Sequence, residues 1–319
     1  MDNLNSRKTA IIGCGFVGSA SAFAIMQSGL FSEMVLIDSD RDKAEGEALD
    51  ISHGLPFAKP MQIYAGDYED IADASIIIIT AGASQKKGET RLDLAGKNIN
   101  IFKSIIPEIS RVNKSAILLI VANPVDILTY TAAKLSGYPE NRVFGSGTVL
   151  DSARLKYLIG EHLNVDSRSV HAFIIGEHGD SEIAAWSSAN VSGIPISNFC
   201  EMRGHTQFKE EMNKIEENVK NSAYEIIEKK NATYYGIAMS VKRICEAIMR
   251  DEKSIFPVSF MHHGSYGIND ISLSMPAIVG KDGVEAEVPI SLSADEAAAL
   301  HNSAELLKRL APGGVPPLS

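Results

Sequence analysis

Long hydrophobic runs are missing from this chain. The longest, Ile76–Ile79 and Ala116–Ala122, fall far short of the roughly 20 apolar residues that cross a bilayer, so no membrane association is expected. Residues Met1–Lys8 are polar and lack the apolar centre of a signal peptide. Cysteine is scarce: Cys14, Cys200 and Cys245 are odd in number and widely spaced. That argues against a disulfide framework or a paired-cysteine zinc site, and the expected compartment is reducing and cytoplasmic. Basic clusters are absent too. With 30 Lys and Arg against 40 Asp and Glu, the net charge is −10, which gives nucleic acid or an anionic lipid surface nothing to hold. No repeat or low-complexity segment occurs, and the Pro- and Gly-rich end, Ala311–Ser319, is expected to fray. What remains is ordinary soluble composition, 45% hydrophobic and 22% charged over 319 residues, enough chain for two domains.

The stretch from Lys8 to Asp38 organises the rest. Thr9–Ile12 is a short apolar run that reads as a buried strand, and Gly13-Cys14-Gly15-Phe16-Val17-Gly18 follows at once. Phe16, Ala20, Phe23 and Ala24 then recur at helical spacing. A second apolar run, Met34–Ile37, ends in Asp38. Strand, glycine turn, helix, strand and acid in this order describe a dinucleotide-binding unit. Gly13 permits the tight turn, Gly15 lets a pyrophosphate approach the backbone, and Gly18 lets the helix pack on the sheet. A carboxylate at Asp38 accepts from both adenosine ribose hydroxyls and repels a 2′-phosphate, so NAD is expected rather than NADP.

Further along, Met61–Ala65, Ser75–Thr80 and Ala116–Val121 read as strands, the last two apolar throughout as central parallel strands are. Ala81–Arg91 is a small, polar, glycine-containing loop at a strand's carboxyl end, where open α/β sheets bind ligands. Ile101, Phe102, Ile105, Ile106, Ile109 and Val112 form a helical stripe that Pro107 is expected to bend. Asn123-Pro124 begins another helix. The alternation predicts a doubly wound parallel sheet over residues 1–145. Character changes there, and a mixed α+β domain is expected over 146–319. Its helices run over Leu150–His162, along Phe208 to Ile226, along Ile237 to Ile248, and over Asp295–Leu310. Strand-like segments lie at Ile255–His262 and Pro276–Val279.

Four places could carry chemistry: Gln85 to Arg91, Asn123, Asp151 with Arg154, and Gly176-Glu177-His178-Gly179-Asp180. Each has a plain alternative. Arg91 could be a solvated loop cation and Asn123 a helix cap. Asp151 and Arg154, three apart, could be a surface pair, and His178 a turn histidine. His262 and His263 are adjacent and point to opposite faces if on a strand. No group of ligands with metal spacing is legible, and no metal is expected.

Together these segments resemble the L-lactate/L-malate dehydrogenase family over nearly the whole chain. The resemblance rests on Gly13–Gly18 with Asp38, Gly88–Leu94, Ala122–Asp126, Leu150–Arg154 and Ile175–Asp180. It is closest to the bacterial L-lactate dehydrogenases through Gln85–Gly88 and Ala232–Ala238. It implies a Rossmann domain followed by a catalytic domain, NAD as cofactor, and pyruvate and L-lactate as substrates of a homotetramer. It also implies roles. His178 exchanges a proton with the substrate oxygen, Asp151 orients it, and Arg154 clamps the substrate carboxylate. Arg91 polarises the carbonyl, Gln85 reads the third carbon, and Asn123 and Thr233 contact the substrate. Val17, Thr80, Asn123, Ser146 and Ile237 join Gly13, Gly15, Gly18 and Asp38 around the cofactor.

Many of the bacterial enzymes so resembled respond to fructose 1,6-bisphosphate held by an Arg and a His of each subunit. His171 matches the histidine, but Lys156 stands where the Arg would be. Lysine keeps the charge and loses the two-pronged geometry, so a weak response is expected. The alternatives are a malate or bulkier 2-hydroxy-acid dehydrogenase, a catalytically silent NAD-binding protein, and an NAD-dependent glycosidase. Binding alone does not require His178, Asp151, Arg154 and Arg91 at once, and no cysteine lies near His178 to hold the glycosidase's metal.

Overall fold

The computed structural model describes residues 4–83 and 91–311, and of Arg91 the backbone alone. The first half alternates as its apolar runs predict: β1 (Asn5–Ile12), α1 (Phe16–Ser28), β2 (Glu33–Ile37), α2 (Arg41–His53) and β3 (Gln62–Ala65), then β4 (Ala74–Ile79), α3 (Arg91–Val112), β5 (Ile117–Ile120), α4 (Val125–Ser136) and β6 (Val143–Gly145). These strands are parallel and lie in the order β3-β2-β1-β4-β5-β6. The winding reverses between β1 and β4, which opens a crevice at their carboxyl ends. Ile76, Ile77, Ile78 and Ile79 of β4 have no exposed surface. A strand with neighbours on both edges and helices over both faces requires such a run, and each isoleucine so buried contributes about 1.5–3 kcal/mol.

One helix departs from expectation. α1 forms where the spacing places it, but its buried side is Gly18, Ser21, Ala22, Ala24, Ile25 and Met26. Phe16 and Phe23 are 70% and 51% exposed, so the aromatic positions point away from the sheet. Small residues on the sheet side let the helix sit close. In α3, Pro107 lies inside a continuous helix of 22 residues.

The second half holds α5 (Val149–Leu163), the short strands β7 (Val170–His171), β8 (Ile174–Ile175), β9 (Ile183–Ala184), β10 (Asn190–Val191) and β11 (Ile194–Pro195), then α6 (Ile196–Met202), α7 (Phe208–Lys230), α8 (Tyr235–Met249), β12 (Ser254–His263), β13 (Asn269–Gly280), β14 (Gly283–Glu287) and α9 (Ala294–Leu310). The large sheet does not end at β6. β12 pairs antiparallel with it, Ser259 opposite Gly145, and β13 and β14 follow, giving nine strands among the described residues. A second, smaller core lies between α5 and α7, around Leu155, Ile159, Met212, Ile215 and Val219. Ser293 and Glu296 form a capping box at the start of α9, whose last turn holds Lys308 and Arg309, a charge order that complements the helix dipole. The three cysteines are buried and unpaired. No helix among the described residues is long and apolar enough to cross a membrane.

Candidate active site

The turn after β1 is shaped by what its glycines exclude. At Gly13, φ is 101°, and a Cβ would lie 2.5 Å from the backbone nitrogen of Ala81. At Gly18 it would lie 1.9 Å from the carbonyl oxygen of Gly13. Gly15 differs: among the described residues, its chain neighbours and the first turn of its own helix apart, no atom lies within 4 Å of where its Cβ would be. That open space leads onto the start of α1, which Gly15 caps with no side-chain bond. The first N–H groups and the positive dipole end are therefore available to an anion. At the end of β2, Asp38 accepts from the N–H of Cys14 at 2.6 Å and of Asp40 at 3.0 Å. Burial works against its charge, but these N–H groups hold its pKa below the ordinary carboxylate value. Thr80 Oγ1 donates to the Gly13 carbonyl at 2.6 Å and so ties the loop after β4 to the turn.

Val17 is half-buried in the first turn of α1, and Ser146 is buried just past β6, its N–H on the Ile120 carbonyl at 2.8 Å. Thr233 and Ile237 flank the start of α8, both half-buried. Phe16 of α1 stacks on Tyr234 there, ring centroids 5.3 Å apart. An open space before a helix start, bounded by close-packed glycines and a charged acid, fits the pyrophosphate and ribose of NAD.

The second cluster stands on α5, which begins directly after β6 at the sheet's carboxyl end. Asp151 and Arg154 are one helical turn apart. The buried Asp151 carboxylate uses both oxygens: Oδ2 lies 2.6 Å from His178 Nδ1, and Oδ1 accepts from Arg154 Nη1 at 2.7 Å. His178 follows β8 in a tight segment pinned from two sides. Its own N–H donates to Asp126 Oδ2 on α4 at 2.8 Å, and the N–H of Glu177 donates to Ser303 Oγ on α9 at 2.9 Å. With Nδ1 committed to Asp151, Nε2 is the nitrogen that a substrate can meet.

Electrostatics follow from this packing. Burial disfavours the imidazolium of His178, but Asp151 outweighs it, with Glu182 and Asp126 adding, and its pKa is lifted to about 9. Burial likewise opposes the charge on Asp151, yet His178 and Arg154 hold it below the ordinary carboxylate value. Glu182 is pushed up to about 8 by burial and the nearby Asp151 charge. Asp126 is pushed up to about 6 by burial, against the N–H it accepts from His178. Deep carboxylates surround one imidazole, and the one in contact with it, Asp151, is held most firmly in the charged form.

Asp126, Glu182 and Asn98 escaped sequence reasoning as site residues. Asp126 is an acid in the otherwise apolar segment Val125–Leu128, which is the signal that marks it; Glu182 follows the polar Asp180-Ser181 and directly precedes the apolar Ile183–Ala185, a weaker signal. Asn98 is fully buried in the middle of α3, a position where asparagine is a poor helix former. Its amide accepts from the Ala83 N–H at 2.7 Å and donates to the Asn123 carbonyl at 2.7 Å. It therefore joins the loop after β4 to the segment that enters α4. Gln85 lies outside the described residues, as does the Arg91 side chain. Lys156, on α5, holds its ammonium 5.7 Å from the Phe173 ring centre, and burial lowers its pKa. His171 is exposed on β7, and among the described residues no hydrogen bond joins the two.

Comparison with known proteins agrees with this arrangement. Residues 7–145 match the lactate/malate dehydrogenase NAD binding domain, and residues 148–313 the lactate/malate dehydrogenase alpha/beta C-terminal domain. An L-lactate dehydrogenase of Acetivibrio thermocellus is 53% identical over 304 residues, 95% of this chain and 96% of that one. One from a Thermoanaerobacter species is 54% identical over 301 residues, 94% and 97% of the two chains. Among solved structures, the minor L-lactate dehydrogenase of Enterococcus mundtii superposes with a TM-score of 0.92 at 44% identity, over 95% of this chain and 97% of that one. The chain belongs to the lactate/malate dehydrogenase family, and its first domain is the family's NAD-binding domain.

Proposed function

We propose that this protein is an NAD-dependent L-lactate dehydrogenase that interconverts pyruvate and L-lactate. The observation that carries the reading is the Asp151 carboxylate, which holds the His178 imidazole and the Arg154 guanidinium at once beside a turn suited to a dinucleotide. Bound NADH supplies the hydride. His178, protonated at neutral pH, gives its Nε2 proton to the ketone oxygen and recovers it in the reverse direction. Asp151 keeps that imidazole in one tautomer and stabilises its charged form. Arg154 receives the substrate carboxylate in its planar fork. Arg91 polarises the carbonyl, Asn123 bonds near the reacting oxygen and the nicotinamide, and Thr233 lines the substrate space. Ser146 contacts the carboxamide, Ile237 packs on the nicotinamide ring, and Val17 and Thr80 border the cofactor.

Gln85 accommodates the methyl group of pyruvate and offers no positive charge to a second carboxylate. The residue division near 145/146, a homotetrameric assembly and a cytoplasmic location belong to the same proposal. They are supported by the family match in two segments, by exposed apolar side chains such as Phe23 and Met239, and by free cysteines. Lys156 and His171 are the candidate contacts for fructose 1,6-bisphosphate.

The test is a substrate panel with NADH: pyruvate, oxaloacetate and bulkier 2-keto acids. Pyruvate is expected to have the highest kcat/KM, and NADPH to be poorer than NADH by about tenfold or more. Gln85→Arg is expected to move preference toward oxaloacetate, because a charge pair in a desolvated site is worth several kcal/mol. A wild-type enzyme faster on oxaloacetate would overturn the lactate reading and leave the fold intact.

A further inference from the structure

His162, His205 and Glu211 lie on three different elements of the second half. His162 is in the last turn of α5, His205 in the segment between α6 and α7, and Glu211 in the first turns of α7. The fold brings their donor atoms to one place. His162 Nε2 lies 3.2 Å from Glu211 Oε2, and His205 Nδ1 lies 3.5 Å from that same oxygen. All three donor atoms are within 4.8 Å of one another, and the two imidazole centroids are 4.4 Å apart. Each side chain is about one-quarter exposed: 27%, 25% and 25%.

We propose that these residues form a binding site for a divalent transition metal of the zinc class, which staples the carboxyl end of α5 to the start of α7. Zinc takes imidazole nitrogen and carboxylate oxygen at about 2.0–2.2 Å, and tetrahedral angles then separate neighbouring donors by about 3.3–3.5 Å. The separations of 3.2 and 3.5 Å lie close to that spacing, and the third, within 4.8 Å, needs only a small side-chain adjustment. Two histidines and one carboxylate make a borderline-soft donor set, which favours zinc, cobalt or nickel over magnesium or calcium.

Room for a fourth ligand exists beside the cluster. A cavity of about 290 Å³ is lined by Leu158, His162, Glu211, Lys214, Ile215 and Asn218. Water can occupy it, or a small anion facing Lys214. The backbone N–H of His205 donates to the Cys200 carbonyl at 2.9 Å, which anchors this segment to the end of α6. The cluster is separate from Asp151, His178 and Glu182, whose donors also converge but whose carboxylate at Asp151 is already engaged by the Arg154 cation. Because α5 carries Asp151 and Arg154 at its other end, a metal here would brace the helix that presents the active site without touching the reacting groups.

The experiment uses the full chain, stripped with EDTA and dialysed, and titrated calorimetrically with Zn²⁺ alone. One equivalent is expected to bind at low micromolar concentration. At a hundredfold excess over Kd it is expected to raise Tm by about 5 °C. His205→Gln and His162→Gln, made separately, are expected to weaken this equivalent by at least about 100-fold and to abolish the Tm rise. Each should keep wild-type pyruvate reduction in metal-free buffer, which shows that the variants are folded. Two results would overturn the proposal: no binding up to about 100 μM, or equally tight binding in both variants, which would place the ion elsewhere and leave the three residues as a hydrogen-bonded cluster.

Discussion

At His178 two opposing effects meet. Burial disfavours the imidazolium, and the carboxylates of Asp151, Glu182 and Asp126 favour it strongly enough to lift its pKa to about 9. His178→Ala is expected to lower kcat for pyruvate reduction by about 10²–10⁴-fold while leaving the NADH Kd unchanged; turnover within about tenfold of wild type would remove the residue from its role. The raised pKa also sets pH dependence. Reduction needs the protonated ring, so kcat/KM should stay level through neutrality and fall as pH rises through about 9. Stability carries the same sign. The folded pKa lies above the unfolded value of about 6.5, so the contribution is complete below that pH and is lost on going up through about 9. Urea midpoints at pH 6 and pH 9.5 measure it. Glu182 reports on the cause. Its own pKa is near 8, so it is charged where His178 loses its proton. Glu182→Gln is expected to move the alkaline limb to lower pH, and an unmoved limb would show that its charge does not reach the imidazole.

Elements carry the cofactor side of the site. In the β1–α1 turn, two glycines of one motif face different constraints. A methyl at Gly18 would collide with the Gly13 carbonyl at 1.9 Å, whereas one at Gly15 would meet nothing within 4 Å among the described residues beyond its own chain neighbours. Gly18→Ala is therefore expected to destabilise the protein by about 1–3 kcal/mol, as overpacking does. Gly15→Ala should leave the urea midpoint close to wild type and raise the NADH Kd by tenfold or more, because its methyl occupies the space offered to the pyrophosphate. Thermal melts paired with NADH fluorescence titrations separate the two. Equal melts for both variants would contradict the packing account, and unchanged NADH affinity in Gly15→Ala would place the pyrophosphate elsewhere.

For the whole molecule, the proposed response to fructose 1,6-bisphosphate would turn on how charges are presented between subunits of the proposed assembly. Lys156 is the weaker half of the candidate effector site. Its ammonium lies over Phe173 and burial lowers its pKa, so it meets a phosphate as a single point charge at best. Pyruvate saturation is expected to be hyperbolic without effector and to change less than about twofold with millimolar fructose 1,6-bisphosphate. A strongly sigmoidal curve that the effector makes hyperbolic would show that Lys156 suffices, since only an effector that favours the active state can shift the curve.

The sequence by itself determined whatever depends on local spacing. The Gly13–Gly18 turn between two apolar runs, Asp38 after the second, the Asp151–Arg154 pair one helical turn apart and the charged ends of α9 all follow from periods of two or 3.6 residues and from turn chemistry. Tertiary structure decided what depends on where distant segments meet. It placed Asp151 against His178, 27 positions along the chain, set Asp126 and Glu182 around them, and used Asn98 to tie the loop after β4 to the entry of α4. It also gathered His162, His205 and Glu211, and carried the sheet past β6 into β12, β13 and β14. It turned Phe16 and Phe23 of α1 outward, because a helical stripe specifies which residues share a face but not which face the sheet will cover. Periodicity is a property of neighbours in the chain, whereas a catalytic contact is set by the return of the chain across the sheet.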